Sequence, residues 1–151
     1  MNKQSGFTLV ELVVVIVILG LLAAAALPRF IDVTENARIS SLNGVAGGLR
    51  SAVALAKAQY VVNGSTSATS VVMEGQTVTV LDEDNNAGLG GRPTQATGGI
   101  EAAMPNPDGY TVTHATAGST YVPDNGGGTT CRVTYDADAT GDPVSVDDSG
   151  C

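Results

Sequence analysis

The sequence predicts an α+β fold in which a long N-terminal helical spine packs on a small antiparallel β-sheet and a disulfide closes the C-terminal region. Residues 7–28 form an apolar run with one charge. From there to residue 62, apolar side chains recur at helical spacing, and short β-prone segments between Gly, Asn, Asp and Pro follow. We divide the chain into a leader (1–6), an apolar helix (7–28), an amphipathic helix (29–62) and a β-rich head (63–151).

The apolar run is close to the roughly 20 residues that a helix needs to cross a bilayer. Its single charge, Glu11, lies a few residues from the polar leader, where a carboxylate in lipid still costs energy, although less than at the membrane centre. We therefore expect Glu11 to have a partner. Lys3 in the leader favours an orientation with that end in the cytoplasm.

The motif around Glu11 is specific. Gly-Phe-Thr-Leu-Val-Glu at residues 6–11, followed by aliphatic residues, one glycine, four alanines and Leu-Pro at 27–28, resembles the class III signal of type IV prepilins. In that family a membrane-embedded aspartyl peptidase cuts after the glycine and methylates the new amino terminus. The resemblance implies cleavage between Gly6 and Phe7 and N-methylation of Phe7.

Among prepilins, the chain is most similar to pilins of the mannose-sensitive haemagglutinin (MSHA) type, through this motif, the run at residues 27–30 and a late cysteine pair. The resemblance implies a structural protein with no enzymatic activity and no cofactor. Its subunits would wait in the inner membrane, meet a prepilin peptidase and an assembly platform, and form a helical homo-oligomeric filament for adhesion, attachment and biofilm formation. A pseudopilin of type II secretion is the alternative.

Three residues are candidates for assembly: Phe7, Thr8 and Glu11. After cleavage the positive amine of Phe7 could pair with Glu11 of another subunit and remove two charges from lipid. The local alternative is that Glu11 complements the positive end of its own helix, and the two roles are compatible. Pro28 cannot donate to the carbonyl of Ala24, so we expect a kink there.

The apolar run has two alternative interpretations. A secretory signal peptide could be cleaved at Ala24-Ala25-Ala26, releasing a carbohydrate-binding head that starts near Leu27. A plain membrane anchor would also account for the apolarity. Glu11 inside the run argues against the first, and the motif at residues 6–11 against the second.

Charge is unevenly distributed along the chain, whose formal net charge is −8. Residues 74–151 hold twelve acidic residues against two arginines, and residues 1–73 are slightly basic. An acidic head repels phosphate, so we expect no nucleic-acid partner.

Cys131 and Cys151 are the two cysteines. In an exported chain, an even number of late cysteines favours a disulfide over free thiols.

The head shows no catalytic pattern. Asp136, Asp138 and Asp147 partly follow the spacing of a calcium-binding loop, but an acidic turn accounts for them better, and a similar pattern at Asp82 is weaker. We expect no metal site. His114 is expected to be a strand residue without triad partners.

The head is expected to contain one antiparallel sheet against the apolar stripe of the helix. The predicted helix stop is Asn63-Gly64-Ser65, and a short helical turn is expected at Ile100–Ala103. Three glycines at 44, 47 and 48 are expected to weaken the helix, each by about 1 kcal/mol relative to Ala, or alternatively to mark close contact with a sheet. The first two predicted strands, Val71–Met73 and Thr77–Leu81, are expected to form a hairpin around a turn at Glu74-Gly75-Gln76. The other predicted strands are Tyr110–His114, Thr120–Val122, Cys131–Tyr135 and Pro143–Val146.

Overall fold

The computed structural model describes residues 7–64, 66–126 and 128–151, except for the side chains of residues 26–32. The leader, including Gly6, and Ser65 of the predicted helix stop lie outside the described residues. The chain divides into an N-terminal unit that ends at Ala37 and a C-terminal unit, Arg38–Cys151. The boundaries that we placed at residues 6, 28 and 62 stay predictions.

Helix α1, Leu9–Asn63, contributes to both units. It ends where the sequence predicts, because Gly64 adopts the left-handed conformation (φ 68°) and its N–H donates to Val61 O at 3.1 Å. The backbone is helical at position 28. The predicted kink at Pro28 stays a prediction. Within the described part of the chain, no helix combines the length and hydropathy of a membrane span.

The apolar stripe of α1 forms one side of the core of the C-terminal unit, as predicted. Seven of its side chains are buried: Leu42, Ala46, Leu49, Ala52, Val53, Ala56 and Tyr60. The largest side chains facing them are Tyr121 and Tyr135 of the sheet and Ile100. The fold class is therefore confirmed as a long N-terminal helix packed on antiparallel sheet.

The strands form two sheets, so the expected single sheet was wrong. A hairpin of β1 (Ser70–Met73) and β2 (Gln76–Thr79) stands apart from a four-stranded antiparallel sheet. The larger sheet has the order β3-β4-β5-β6, with strands Tyr110–Ala115, Gly118–Pro123, Arg132–Tyr135 and Val144–Asp147.

The loop after β2 explains the separation of the sheets. Thr79 N donates to Gly98 O at 2.7 Å, and Thr94 N donates to Thr79 O at 2.9 Å. Val80 N donates to Thr69 O at 2.9 Å, and Val80 also forms an isolated bridge with Pro93. Because this loop already pairs with the end of β2, the strand stops at Thr79 rather than at Leu81.

The β1–β2 turn is tighter than expected. Glu74 and Gly75 have φ values of 49° and 83°, as in a two-residue type I′ turn. Gln76, which we placed in the turn, is therefore the first residue of β2.

The glycines of α1 do not mark contact with a sheet. A Cβ added at Gly44 or Gly47 would meet nothing within 4 Å, and one at Gly48 would meet Sδ of Met104 at 3.0 Å. Met104 follows the short helix α2, Ile100–Ala103, which lies where the sequence predicts.

The predicted disulfide between Cys131 and Cys151 is confirmed. It connects the residue before β5 to the last residue, whose carbonyl accepts a hydrogen bond from Arg38 Nη1 of α1 at 2.7 Å. The tail is thereby fixed to both the sheet and the helix.

Candidate functional site

The start of α1 is closed by a reciprocal pair of hydrogen bonds between Thr8 and Glu11. The backbone N–H and the hydroxyl of Thr8 both donate to Glu11 Oε2 at 2.8 Å, and Glu11 N–H donates to Thr8 Oγ1 at 3.2 Å. This is a capping box, which satisfies N–H groups that have no partner inside the helix. We did not predict it, although Thr-x-x-Glu before an apolar run is its sequence signature.

The capping box uses one of the two oxygens of the Glu11 carboxylate. Both bonds from Thr8 reach Oε2, and no described residue donates to Oε1. Phe7, the predicted mature N-terminus, is 85% exposed. The three candidate assembly residues therefore form an accessible group at the helix start.

The apolar side chains next to this group are exposed in the described part of the chain. All thirteen large apolar side chains between Phe7 and Leu22 are at least 43% exposed. A Cβ added at Gly20 would meet nothing within 4 Å. A helix that is apolar on all sides needs an apolar environment, from lipid or from other proteins. Burying each such side chain would contribute about 1.5–3 kcal/mol.

In the head, the acidic loop that resembled a calcium site surrounds a guanidinium. Arg92 is 7% exposed, and it donates from Nη1 to the carbonyl oxygens of Ala137 (3.2 Å) and Ala139 (2.5 Å) and from Nη2 to that of Gly141 (2.9 Å). These carbonyls point at a cation that the protein itself supplies.

Asp136 and Asp147 of this region accept hydrogen bonds from protein groups of their own turns. Asp136 Oδ1 accepts from Asp138 N at 3.0 Å, and Asp147 Oδ1 accepts from Ser149. In the weaker pattern, Asp82 Oδ1 accepts from Asn85 N at 2.7 Å. Over the described ranges, no three Asp, Glu, His or Cys side chains are arranged to hold a metal ion.

Two carboxylates of the head are held ionised by their surroundings. Burial disfavours the charge of Asp142, but bonds from Val144 N–H and Arg50 outweigh it and lower the pKa of Asp142. The N–H groups of Gly88 and Gly90 lower the pKa of Glu83. Both carboxylates order turns of the head.

His114 lies in β3 as predicted, but it does have polar partners. Its Nδ1 is 2.8 Å from Ser119 Oγ, and its Nε2 is 3.3 Å from Glu101 Oε2. The order Glu–His–Ser is that of a hydrolase triad. Ser119 is fully buried, however, so a substrate could not reach its hydroxyl. The group connects α2 to the sheet.

Comparison with known proteins supports the N-terminal motif. Residues 1–27 match the family described as the prokaryotic N-terminal methylation motif. The chain is 47% identical over 57 residues to the type IV narrow pilus major component PilA5 of Thermus thermophilus, covering 38% of this chain and 49% of that protein. No solved structure matches the chain.

Two further relatives are similar over shorter segments. The fimbrial protein of Moraxella nonliquefaciens is 47% identical over 53 residues, which cover 35% of this chain and 34% of that protein. The type IV major pilin protein PilE1 of Neisseria gonorrhoeae is 52% identical over 50 residues, covering 33% and 30%. The chain thus matches half or less of the length of these curated relatives, all of which are named as pilus or fimbrial proteins.

Proposed function

We propose that this chain is the precursor of a structural subunit of a type IV pilus, most like the MSHA pilins. A prepilin peptidase would cut between Gly6 and Phe7 and methylate Phe7, and the subunits would polymerise through the apolar helix. The observation that carries the proposal is a methylation motif over residues 1–27 joined to a helix whose large apolar side chains are uncovered. The names of the relatives favour a pilus over a type II secretion pseudopilin.

The apolar helix would be buried in two successive environments. Before assembly, residues 7–28 lie in the inner membrane, where the subunit waits for the assembly platform. In the filament, the same side chains pack among neighbouring helices, and Gly20 lets another backbone approach because nothing occupies the space beside it. The acidic heads then face water, where like charge keeps the filament soluble.

Glu11 would act both within its own helix and between subunits. Oε2 remains bonded to Thr8, while Oε1 pairs with the methylated amine of Phe7 in a neighbouring subunit. Pairing the two charges lowers the cost of burying them in the filament core, and it also fixes the axial register of the subunits. Adhesion, surface attachment and biofilm formation follow from the resemblance to MSHA pilins.

The test compares Glu11→Ala with Thr8→Ala in the producing cells. Both variants lose the side-chain bond of the capping box, but only Glu11→Ala loses the carboxylate. We expect both precursors to be processed, Thr8→Ala to form filaments, and Glu11→Ala to leave no subunit in the fraction sheared from the cells. Subunit is measured by immunoblot in sheared and membrane fractions.

Two outcomes would contradict this assignment. Normal filament yield from Glu11→Ala would show that the carboxylate is not needed for assembly. Equal loss of filaments in both variants would show that capping the helix is the whole role of Glu11.

A further inference from the structure

A cavity of about 210 Å³ beside α1 is lined by three cationic side chains of the C-terminal unit. Arg50 and Lys57 line it from one face of α1, two turns apart, and Arg92 lines it from the loop before α2. Val53, Ala54 and Pro143 complete the walls. The cavity thus holds three of the five cationic residues of Arg38–Cys151, a unit that has twelve acidic residues.

Few of the cavity's cations form direct ion pairs with described residues. Arg50 pairs with Asp142, with 2.8 Å between Nε and Oδ2. The hydrogen bonds of Arg92 go to carbonyl oxygens, which carry no net charge. Among the described residues, no carboxylate lies within the ion-pair distance of 4.0 Å from Arg92 or Lys57. Asp142 is thus the one described carboxylate in direct contact with these cations, and Glu83 is near enough for Lys57 to contribute to its lowered pKa.

The cavity suits a small anionic group. Its volume admits a side chain but not a folded segment. Arg92 is almost completely desolvated, so its field on a group in the cavity is weakly screened. Lys57 is half-buried, and no described residue accepts a hydrogen bond from its ammonium. A carboxylate entering the cavity would find three cations against two nearby carboxylates, and an ammonium that donates a hydrogen bond to no described residue.

We propose that this cavity binds a carboxylate from the head of a second copy of the chain, so that the contact joins neighbouring subunits in the filament. The inference rests on the proposed pilus function. The head carries the complementary charge in exposed carboxylates that no described residue hydrogen-bonds: Glu74, Asp84, Asp108 and Asp148.

The geometry of such a contact agrees with a filament. An acidic side chain of one copy and the basic cavity of the next are different surfaces, so the contact is head-to-tail. Head-to-tail contacts that do not close into a ring generate open helical assemblies. The contact also reduces repulsion between acidic heads, because each places a negative charge against a positive cavity.

The experiment treats sheared filaments with a water-soluble carbodiimide, which joins an amine to a touching carboxylate as an amide with loss of one water. Lys57 is the only lysine outside the leader, so the reactive side-chain amine is unique in the processed subunit. We expect dimers in which Lys57 is linked to an acidic peptide of the head, identified by mass spectrometry. Dissociated subunits should give no such dimer.

Three variants separate charge from reactivity. Lys57→Arg keeps the charge, so its filaments should resist salt like wild type but lose the dimer. Lys57→Gln should lose the dimer and leave roughly threefold less subunit in filaments after high-salt treatment. Ala58→Glu is the matched control, because it changes the net charge by the same one unit at the neighbouring exposed position of α1 and should leave the dimer unchanged.

The outcomes distinguish the two proposals. Wild-type filaments without a Lys57 dimer, or with Lys57 linked only to Glu83 of its own chain or to another protein, would overturn the cavity contact and leave the pilus function standing. Equal salt resistance of Lys57→Gln and wild type would do the same. Failure of the wild-type chain to form any filament would overturn both.

Discussion

Arg92 is expected to be a principal determinant of the stability of the head. Replacing it with Met keeps an unbranched apolar stem but removes the guanidinium that donates to three carbonyls of the loop 137–141. A hydrogen bond from a charged group contributes about 1.5–3 kcal/mol, and a buried acceptor left unpaired costs about 1–3 kcal/mol. The bond to Ala137 is buried, whereas the carbonyls of Ala139 and Gly141 are part-buried and can regain water. We therefore expect Arg92→Met to lower the free energy of unfolding by about 3 kcal/mol.

Urea unfolding of the full chain in detergent measures this loss. All four tyrosines lie in the C-terminal unit, so tyrosine fluorescence follows the unfolding of that unit. Arg92→Lys is the matched control, because it keeps the charge but not the planar set of guanidinium donors. It should retain part of the stability that Arg92→Met loses. Because the guanidinium already fills the loop, a calcium chelator should leave the wild-type midpoint unchanged. A loss below about 1 kcal/mol for Arg92→Met, or a midpoint that falls with chelator, would refute this reasoning.

Three further predictions concern the head. Tyr135→Phe should cost about 1 kcal/mol because its hydroxyl donates to a carbonyl, whereas Tyr121→Phe should be neutral or stabilising because that hydroxyl is buried and no described residue bonds to it; urea midpoints distinguish them. Since the pKa of Glu83 is lowered from 4.5, its stabilising effect is complete above that value and is lost as pH falls through the folded pKa. Protection of the amides in its turn, measured by hydrogen exchange and corrected for the intrinsic pH dependence of exchange, should therefore fall in acid, and Glu83→Gln should abolish that change. Reducing the Cys131–Cys151 bond should cost about 3 kcal/mol, and an unchanged urea midpoint would contradict its stabilising role.

Features encoded within a few residues of sequence were predictable. Helical spacing identified the buried stripe from Leu42 to Tyr60, and Gly64 identified the end of α1. The turn at Glu74-Gly75 predicted the first hairpin. The capping box of Thr8 and Glu11 has an equally local signature, but it was missed because the same motif also implies a partner for Glu11 in another subunit.

Features that depend on distant parts of the chain were not predictable. The loop that pairs with the end of β2 consists of residues 93–98. No local sequence pattern shows that this loop, rather than a strand of the larger sheet, pairs with β2. Arg92 reaches carbonyls more than forty positions away, so the sequence did not show that a cation of the protein itself lies against the acidic loop. The partners of His114 are Glu101 in α2 and Ser119 in β4. Because they belong to other elements of the fold, the residues around His114 did not predict them.

Processing at Phe7 is the central claim, and mass spectrometry of the N-terminus of material sheared from the producing cells tests it most directly. The account predicts a chain that begins at methylated Phe7 and is recovered in the sheared fraction. A chain that begins near Leu27 would indicate a conventional signal peptide, and intact Met1 retained in membranes would indicate a plain anchor. Either result would contradict the pilus assignment.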